Sequence, residues 1–290
     1  MTPLRVGYVP EHFSTPLQFA QKHGFFSRQG LQITLIPYPS GTGHMISSLN
    51  SQELDVAIGL TEAFVRGLLA DPAQPPSYEI VSTYVSSPLN WAVSTGVNRD
   101  DVTELSQLEG AKIGVSRIGS GSYVMSYVLA QQQRFERDPP FADWPVCDTF
   151  EGLRRAVNSG QCDAFMWEYF TTRAHYEGPH RDLKMIGNIL TPWASWVVVK
   201  NTKIGRETMD RFQAAVRDGI EYFENHTEEA IQYISQQLPY SEQDARDWLE
   251  TVEFEVGDSR DPMEKAERVL RVCGVLPGRT ENAEATPGSQ

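Results

Sequence analysis

The sequence predicts an α/β chain of two similar doubly wound lobes joined by two crossing segments. Three observations predict it. The first ninety residues alternate strand and helix signals. The same order then restarts near residue 105, with matching dipeptides at an almost constant offset. Finally, 290 residues exceed the roughly 100–200 of a single comfortable domain.

The elements follow in chain order. Residues 4–9 form an apolar strand. Thr15-Pro16 reads as helix N-cap and first-turn proline, and Gly24 as the stop. Leu31, Ile33 and Leu35 alternate with polar residues, so a second strand follows. Ser40-Gly41-Thr42-Gly43 opens a helix with Met45 and Leu49 on one face, residues 54–59 are a strand, and Thr61 caps the next helix. Residues 78–84 are a further strand. In the second half, residues 112–115 are a strand, Ser120-Gly121-Ser122 opens a helix, and a helix over 150–159 leads to a strand over 163–166. Arg5-Val6-Gly7 corresponds to Lys112-Ile113-Gly114 at an offset of 107, and Asn50-Ser51 with Asp55 to Asn158-Ser159 with Asp163 at 108. Two lobes of one topology explain this echo. Residues 196–200 form a returning strand, and residues 209–223 a long helix with Phe212, Ala215, Val216, Gly219, Ile220 and Phe223 on one side. Helices over 227–238, 241–250 and 263–273 complete the pattern. The domain reading is therefore 1–88 with 192–276 as a discontinuous first lobe, 89–191 as the second, and a disordered tail over 277–290.

A net charge of -13 argues against nucleic acid and against anionic membranes. No apolar run spans a bilayer, and the N-terminus runs straight into a strand with no signal-peptide pattern. Cys147, Cys162 and Cys273 are odd in number and widely spaced. That usage fits a reducing compartment, so a cytoplasmic location is expected, with neither disulfide framework nor metal site.

Gly7-Tyr8-Val9-Pro10, Pro16-Leu17-Gln18-Phe19-Ala20, Gly24-Phe25-Phe26 and Gly30-Leu31 resemble the opening of type 2 periplasmic-binding-protein-like chains. These include binders of aliphatic sulfonates, nitrate and pyrimidine precursors, and the fungal thiamine-pyrimidine synthase. Ser40-Gly41-Thr42, residues 54–59 and residues 108–115 continue the similarity in order, over residues 4–235 in all. Without a signal peptide, the chain is similar to fungal intracellular members of that superfamily. The resemblance implies a ligand held in the gap between lobes and a hinge closure around it. It places the crossings near residues 86–89 and 189–192, each with a proline, Pro88 and Pro192.

Ligands of doubly wound lobes sit at the carboxyl ends of strands. That rule selects His12 and Ser14 after the first strand, Ser40, Gly41 and Thr42 after the second, and Thr61 and Glu62 after the third. In the second lobe it selects Ser120, Gly121 and Ser122, then Trp167 and Glu168. Trp91 and Trp193 flank the crossings and could stack a flat ring. Small residues at a helix start expose N–H groups that suit an anion, although a serine there is also a plain N-cap. Glu62 and Glu168 occupy equivalent places and suit an amine or ring N–H; Glu62 equally suits a first-turn acid favoured by the helix dipole. His12 could donate to an anion or titrate near neutral pH.

The expected function is non-catalytic binding of a small polar metabolite, anionic or heteroaromatic, with no cofactor, no catalytic residue and no metal. An enzyme of thiamine-pyrimidine biosynthesis is the alternative, together with an interaction protein that has no ligand. The synthase would carry a cysteine-rich run before the returning strand; here that stretch is Pro192-Trp193-Ala194-Ser195-Trp196.

Overall fold

A computed structural model of the chain describes residues 1–71, 73–179 and 181–277. The expected tail lies outside the described residues, apart from Pro277. The strands are β1 Thr2–Tyr8, β2 Leu31–Pro37, β3 Val56–Leu60, β4 Tyr78–Val85, β5 Asn90–Gly96, β6 Ile113–Gly114, β7 Ala164–Glu168, β8 Leu183–Leu190 and β9 Trp196–Asn201. The helices are α1 Thr15–Lys22, α2 Phe25–Arg28, α3 Thr42–Asn50, α4 Thr61–Leu69, α5 Gly121–Gln133, α6 Phe150–Ser159, α7 Tyr169–Arg173, α8 Arg206–Asn225, α9 Thr227–Gln237, α10 Glu242–Leu249 and α11 Arg260–Val272. They build a five-stranded sheet, β2-β1-β3-β9-β4, and a four-stranded sheet, β6-β7-β5-β8.

The two sheets share one plan. In the first, β2, β1 and β3 are parallel, β9 is antiparallel to β3, and β4 is antiparallel to β9. In the second, β6 and β7 are parallel, β5 is antiparallel to β7, and β8 is antiparallel to β5. The equivalent of β2 is the segment beside Trp144, where Asp143 and Val146 bridge Lys112 and Val115 in parallel. The sequence echo marks the same place in each lobe. Asp55 Oδ2 accepts the Arg5 N–H at 2.7 Å, and Asp163 Oδ2 accepts the Lys112 N–H at 2.8 Å. Each aspartate thereby fastens the start of its lobe's inner strand to the strand beside it.

Two strands carry weak sequence signals. Of β5, only the first residue is more than marginally exposed, yet the strand contains Ser94 and Thr95. Their hydroxyls are satisfied internally, by Tyr176 at 2.7 Å and by the Asp163 carbonyl at 2.6 Å. β8 is an edge strand buried only at Leu183 and Ile189, so its hydrophobic alternation is faint. Helix boundaries follow local chemistry. Gly24 ends the first helical run with φ 72°, the left-handed conformation that glycine adopts freely. Ser14, one residue earlier than expected, occupies the N-cap of α1, while the Thr15 hydroxyl donates to the His12 carbonyl at 2.7 Å. On α8, Gly219 permits a close approach to α1, because a Cβ there would lie 2.6 Å from the Pro16 carbonyl oxygen.

The chain crosses between sheets from β4 to β5 and from β8 to β9. The crossings lie side by side. The Leu89 N–H donates to Thr191 Oγ1 at 2.9 Å, and the Thr191 N–H returns to the Leu89 carbonyl at 3.1 Å. Ser195 donates its hydroxyl to the Ser87 carbonyl at 2.8 Å. These hydrogen bonds join the two crossing segments into one waist between the sheets.

Candidate functional site

Strand ends from both lobes meet beside this waist. After β1 the chain makes a one-turn helix, His12–Ser14, fixed by the Tyr84 hydroxyl donating to the Phe13 carbonyl at 2.9 Å. After β3, Glu62 stands in the first turn of α4. Across the gap, Gly121 opens α5 and Glu168 ends β7. Trp91 on β5 is the register partner of Glu168, so both side chains lie on one face of the second sheet. Trp193 comes from the second crossing.

These residues form one continuous set of contacts. Trp193 Nε1 donates to Glu62 Oε2 at 3.2 Å. A Cβ on Gly121 would lie 3.1 Å from Glu62 Oε1 and 2.8 Å from the Trp91 ring. Glycine is therefore what lets the start of α5 approach the first lobe. His12 Nε2 is 3.8 Å from Glu168 Oε1, and Glu168 Oε2 accepts the Thr171 N–H at 2.7 Å. The imidazole lies among Phe13, Tyr240 and Trp248, each ring centroid 4.4 Å away. Around this centre the lobes are tied by Arg66 Nη1 donating to the Gly119 carbonyl at 3.1 Å, and by Arg173 pairing with Asp244 at 3.4 Å and with Asp247.

Burial sets the charges. His12 is 1%, Glu62 1% and Glu168 7% exposed. Loss of water pushes the Glu62 and Glu168 carboxyls up to about 7. Glu11 rises to about 8, through desolvation and then repulsion from Glu168. Desolvation holds His12 well below its ordinary value. The His12–Glu168 spacing would suit an ion pair, but burial keeps the imidazole neutral, so this is no ion pair. Both ring nitrogens of His12, Glu62 Oε1 and Trp91 Nε1 are buried without a hydrogen-bond partner. A buried polar atom left unpaired costs roughly 1–3 kcal/mol, so four in one gap are a marked departure from ordinary packing.

The remaining predicted residues are placed differently. Ser14 donates to the Val9 carbonyl at 2.6 Å and Thr61 to the Ala194 carbonyl at 2.6 Å, so both hydroxyls hold local backbone. Thr42 accepts the Leu60 N–H at 3.1 Å. Ser40 is exposed and lies 3.0 Å from His44 Nδ1, and Gly41 is the N-cap of α3 with φ 79°. Ser120 caps α5 by accepting from the Tyr123 N–H, and Ser122 accepts the Ser116 N–H at 3.3 Å. Trp167 faces away from the gap and packs on Phe150 at 5.3 Å, because alternate residues of β7 point to opposite faces. Tyr240, Trp248 and Arg173 escaped sequence reasoning, since segments remote in sequence deliver them: the α9–α10 connection, α10 and α7. Glu11, adjacent to His12, lies in the stretch after the first strand that the strand-end rule selects.

Among the described residues no group of three or more His, Cys, Asp or Glu could hold a metal ion, and no helix is long and apolar enough to cross a membrane. The cysteines depart from expectation. Cys147 and Cys162 are not isolated; their sulfurs lie 4.0 Å apart.

Comparison with known proteins places this geometry in context. Residues 91–189 match the family model described as Ca3427-like PBP, and residues 1–132 match the NMT1-like family. No curated protein matches. The Candida albicans CA3427 gene product, described as defining a new family with the generic periplasmic binding protein fold, is 44% identical. That alignment covers 97% of this chain and 93% of that one, with a TM-score of 0.87. The periplasmic aliphatic sulphonate binding protein SsuA of Escherichia coli shares the fold at 14% identity, 96% and 95% coverage and a TM-score of 0.73. PhnD1 of Prochlorococcus marinus, solved with methylphosphonate, does so at 13% identity, 95% and 99% coverage and a TM-score of 0.60.

Proposed function

The chain belongs to the family that the Candida albicans CA3427 gene product defines, and from that premise we propose that it binds a small heteroaromatic ligand between its lobes by hinge closure, without transforming it. One observation carries the reading. Glu62 Oε1, buried and unpaired, faces the start of α5 across the gap. An N–H donor entering there completes it.

The buried charges favour a ligand rich in N–H groups over an oxyanion. Glu62 and Glu168 line the gap, with Glu11 beside them. Among the described residues Lys200 is the one buried Lys or Arg, and it pairs with Glu79 at the opposite end of β9 from Trp196. A sulfonate or phosphonate in the gap would meet carboxyls without a buried cation. A flat ring would meet the Trp91 face and carry donors to the carboxyls. The non-catalytic part of the reading rests on the thiols: Cys162 is buried within the second core cluster, Cys147 packs against it, and Cys273 caps α11.

A thermal-shift panel tests this. Heteroaromatic amines are expected to raise the melting temperature, by the equivalent of about 2.7 kcal/mol at a hundred times Kd, and Glu62→Gln to reduce the effect. Stabilisation by alkanesulfonates or phosphonates alone would contradict the ligand class. Conversion of a stabilising compound, read by mass spectrometry, would contradict the absence of catalysis.

A further inference from the structure

We propose that Cys147 and Cys162 form a reversible thiol–disulfide site in the second lobe, independent of the interlobe gap. The two sulfurs are 4.0 Å apart in the reduced protein. Cys147 is partly exposed, whereas Cys162 is buried. One thiol can therefore meet a small oxidant from solvent while the other waits behind it.

The surroundings are built for close approach. Cys147 follows Val146, which bridges Val115 just after β6, and its N–H donates to the Val115 carbonyl at 2.8 Å. Cys162 precedes β7, and its N–H donates to the Ala156 carbonyl at 3.2 Å. Glycines clear the space around both. A Cβ on Gly114 would lie 3.0 Å from Cys162 Sγ, and one on Gly152 would collide with the Cys147 carbonyl oxygen. Between the two cysteines the chain makes α6, capped by Thr149 accepting the Gly152 N–H at 3.0 Å. A bond between the sulfurs would close the loop that contains α6 and fasten the sheet's outer edge to the head of β7.

The oxidant is a low-molecular-weight disulfide. Cys147 gives up its proton, and its sulfur attacks one sulfur of the reagent. The reagent's S–S bond breaks, and the first small thiol leaves carrying that proton. Cys162 then gives up its proton and attacks Cys147 Sγ, displacing the second small thiol. Two protein thiols are oxidised, and one small disulfide is reduced to two thiols. Burial raises both cysteines above their ordinary range, Cys162 to about 12. The exchange is thus slow at neutral pH and quickens as pH rises.

The test treats the native full chain with oxidised glutathione and reads mass and peptide linkage. The expected product has lost two hydrogens and links the Cys147 and Cys162 peptides. It also melts at a higher temperature, and dithiothreitol reverses both changes. Cys273→Ser leaves the reaction intact. Cys147→Ser and Cys162→Ser, each checked for native circular dichroism, abolish the linkage, and Cys162→Ser stops at a glutathione adduct on Cys147. A persistent adduct on Cys147 in the unsubstituted protein would overturn the proposal. So would a link to Cys273, or a Cys147–Cys162 link that forms only in denaturant.

Discussion

Glu62 carries opposing demands. It lies in the first turn of α4, where the helix dipole favours a negative charge, yet burial raises its carboxyl to about 7. A carboxyl raised on folding stabilises the protein fully below its unfolded value near 4.5, and that contribution is lost as pH rises through 7. Glu168 and Glu11 act in the same sense, up to about 7 and 8. His12 acts oppositely, because its lowered value favours the folded state above about 6.5 and withdraws that support as pH falls. Between pH 6.5 and 8 the melting temperature should therefore fall, and Glu62→Gln should flatten the slope without removing it. Calorimetry across that range checks the sign. Gly121 gives a second prediction at this scale. In Gly121→Ala the new methyl would meet the Trp91 ring at 2.8 Å. Overpacking of this kind costs roughly 1–3 kcal/mol. Trp91 lies in the same lobe as Gly121, so that clash should lower the urea midpoint, whereas the 3.1 Å approach to Glu62 Oε1 spans the gap and should weaken ligand binding by about tenfold.

At the scale of elements, the paired aspartates were the most informative part of the sequence. Asn-Ser followed by Asp recurs because each lobe needs a turn and then a carboxylate that accepts the N–H of the neighbouring strand, Arg5 for Asp55 and Lys112 for Asp163. Asp163 also accepts from Arg99 at 2.7 Å. Asp163→Ala should destabilise by about 1–3 kcal/mol, seen as a lower urea midpoint at unchanged m-value. β2 and α8 were legible because their apolar residues follow a clear period, and β1, β3 and β9 because they are short apolar runs. β5 was hidden by buried hydroxyls and β8 by its exposed edge. The strand-end rule found His12, Glu62, Gly121 and Glu168, since topology alone puts them at the gap. It could not assign the serines and threonines there, whose hydroxyls are taken by neighbouring backbone. It could not orient Trp167 against Glu168, because one residue of register decides the face. The interlobe ties were unreadable for another reason: Arg173 meets Asp244 and Asp247 across more than seventy residues of sequence.

On the scale of the whole molecule, two lobes of the same plan share a waist of two crossing segments, and their facing strand ends bury polar atoms without protein partners. Under the proposed hinge motion, closure is opposed by those atoms and favoured by Arg66, Arg173 and whatever satisfies Glu62 and His12. Arg173→Ala should shift this balance toward the open form and weaken ligand binding, leaving the fold of each lobe intact. Small-angle scattering during titration with the strongest stabilising heteroaromatic amine addresses the central claim most directly. The account predicts that the radius of gyration falls to a plateau as the compound saturates, and that Gly121→Ala reaches the plateau only at about tenfold higher concentration. A saturating, stabilising compound that leaves the radius of gyration unchanged would contradict it.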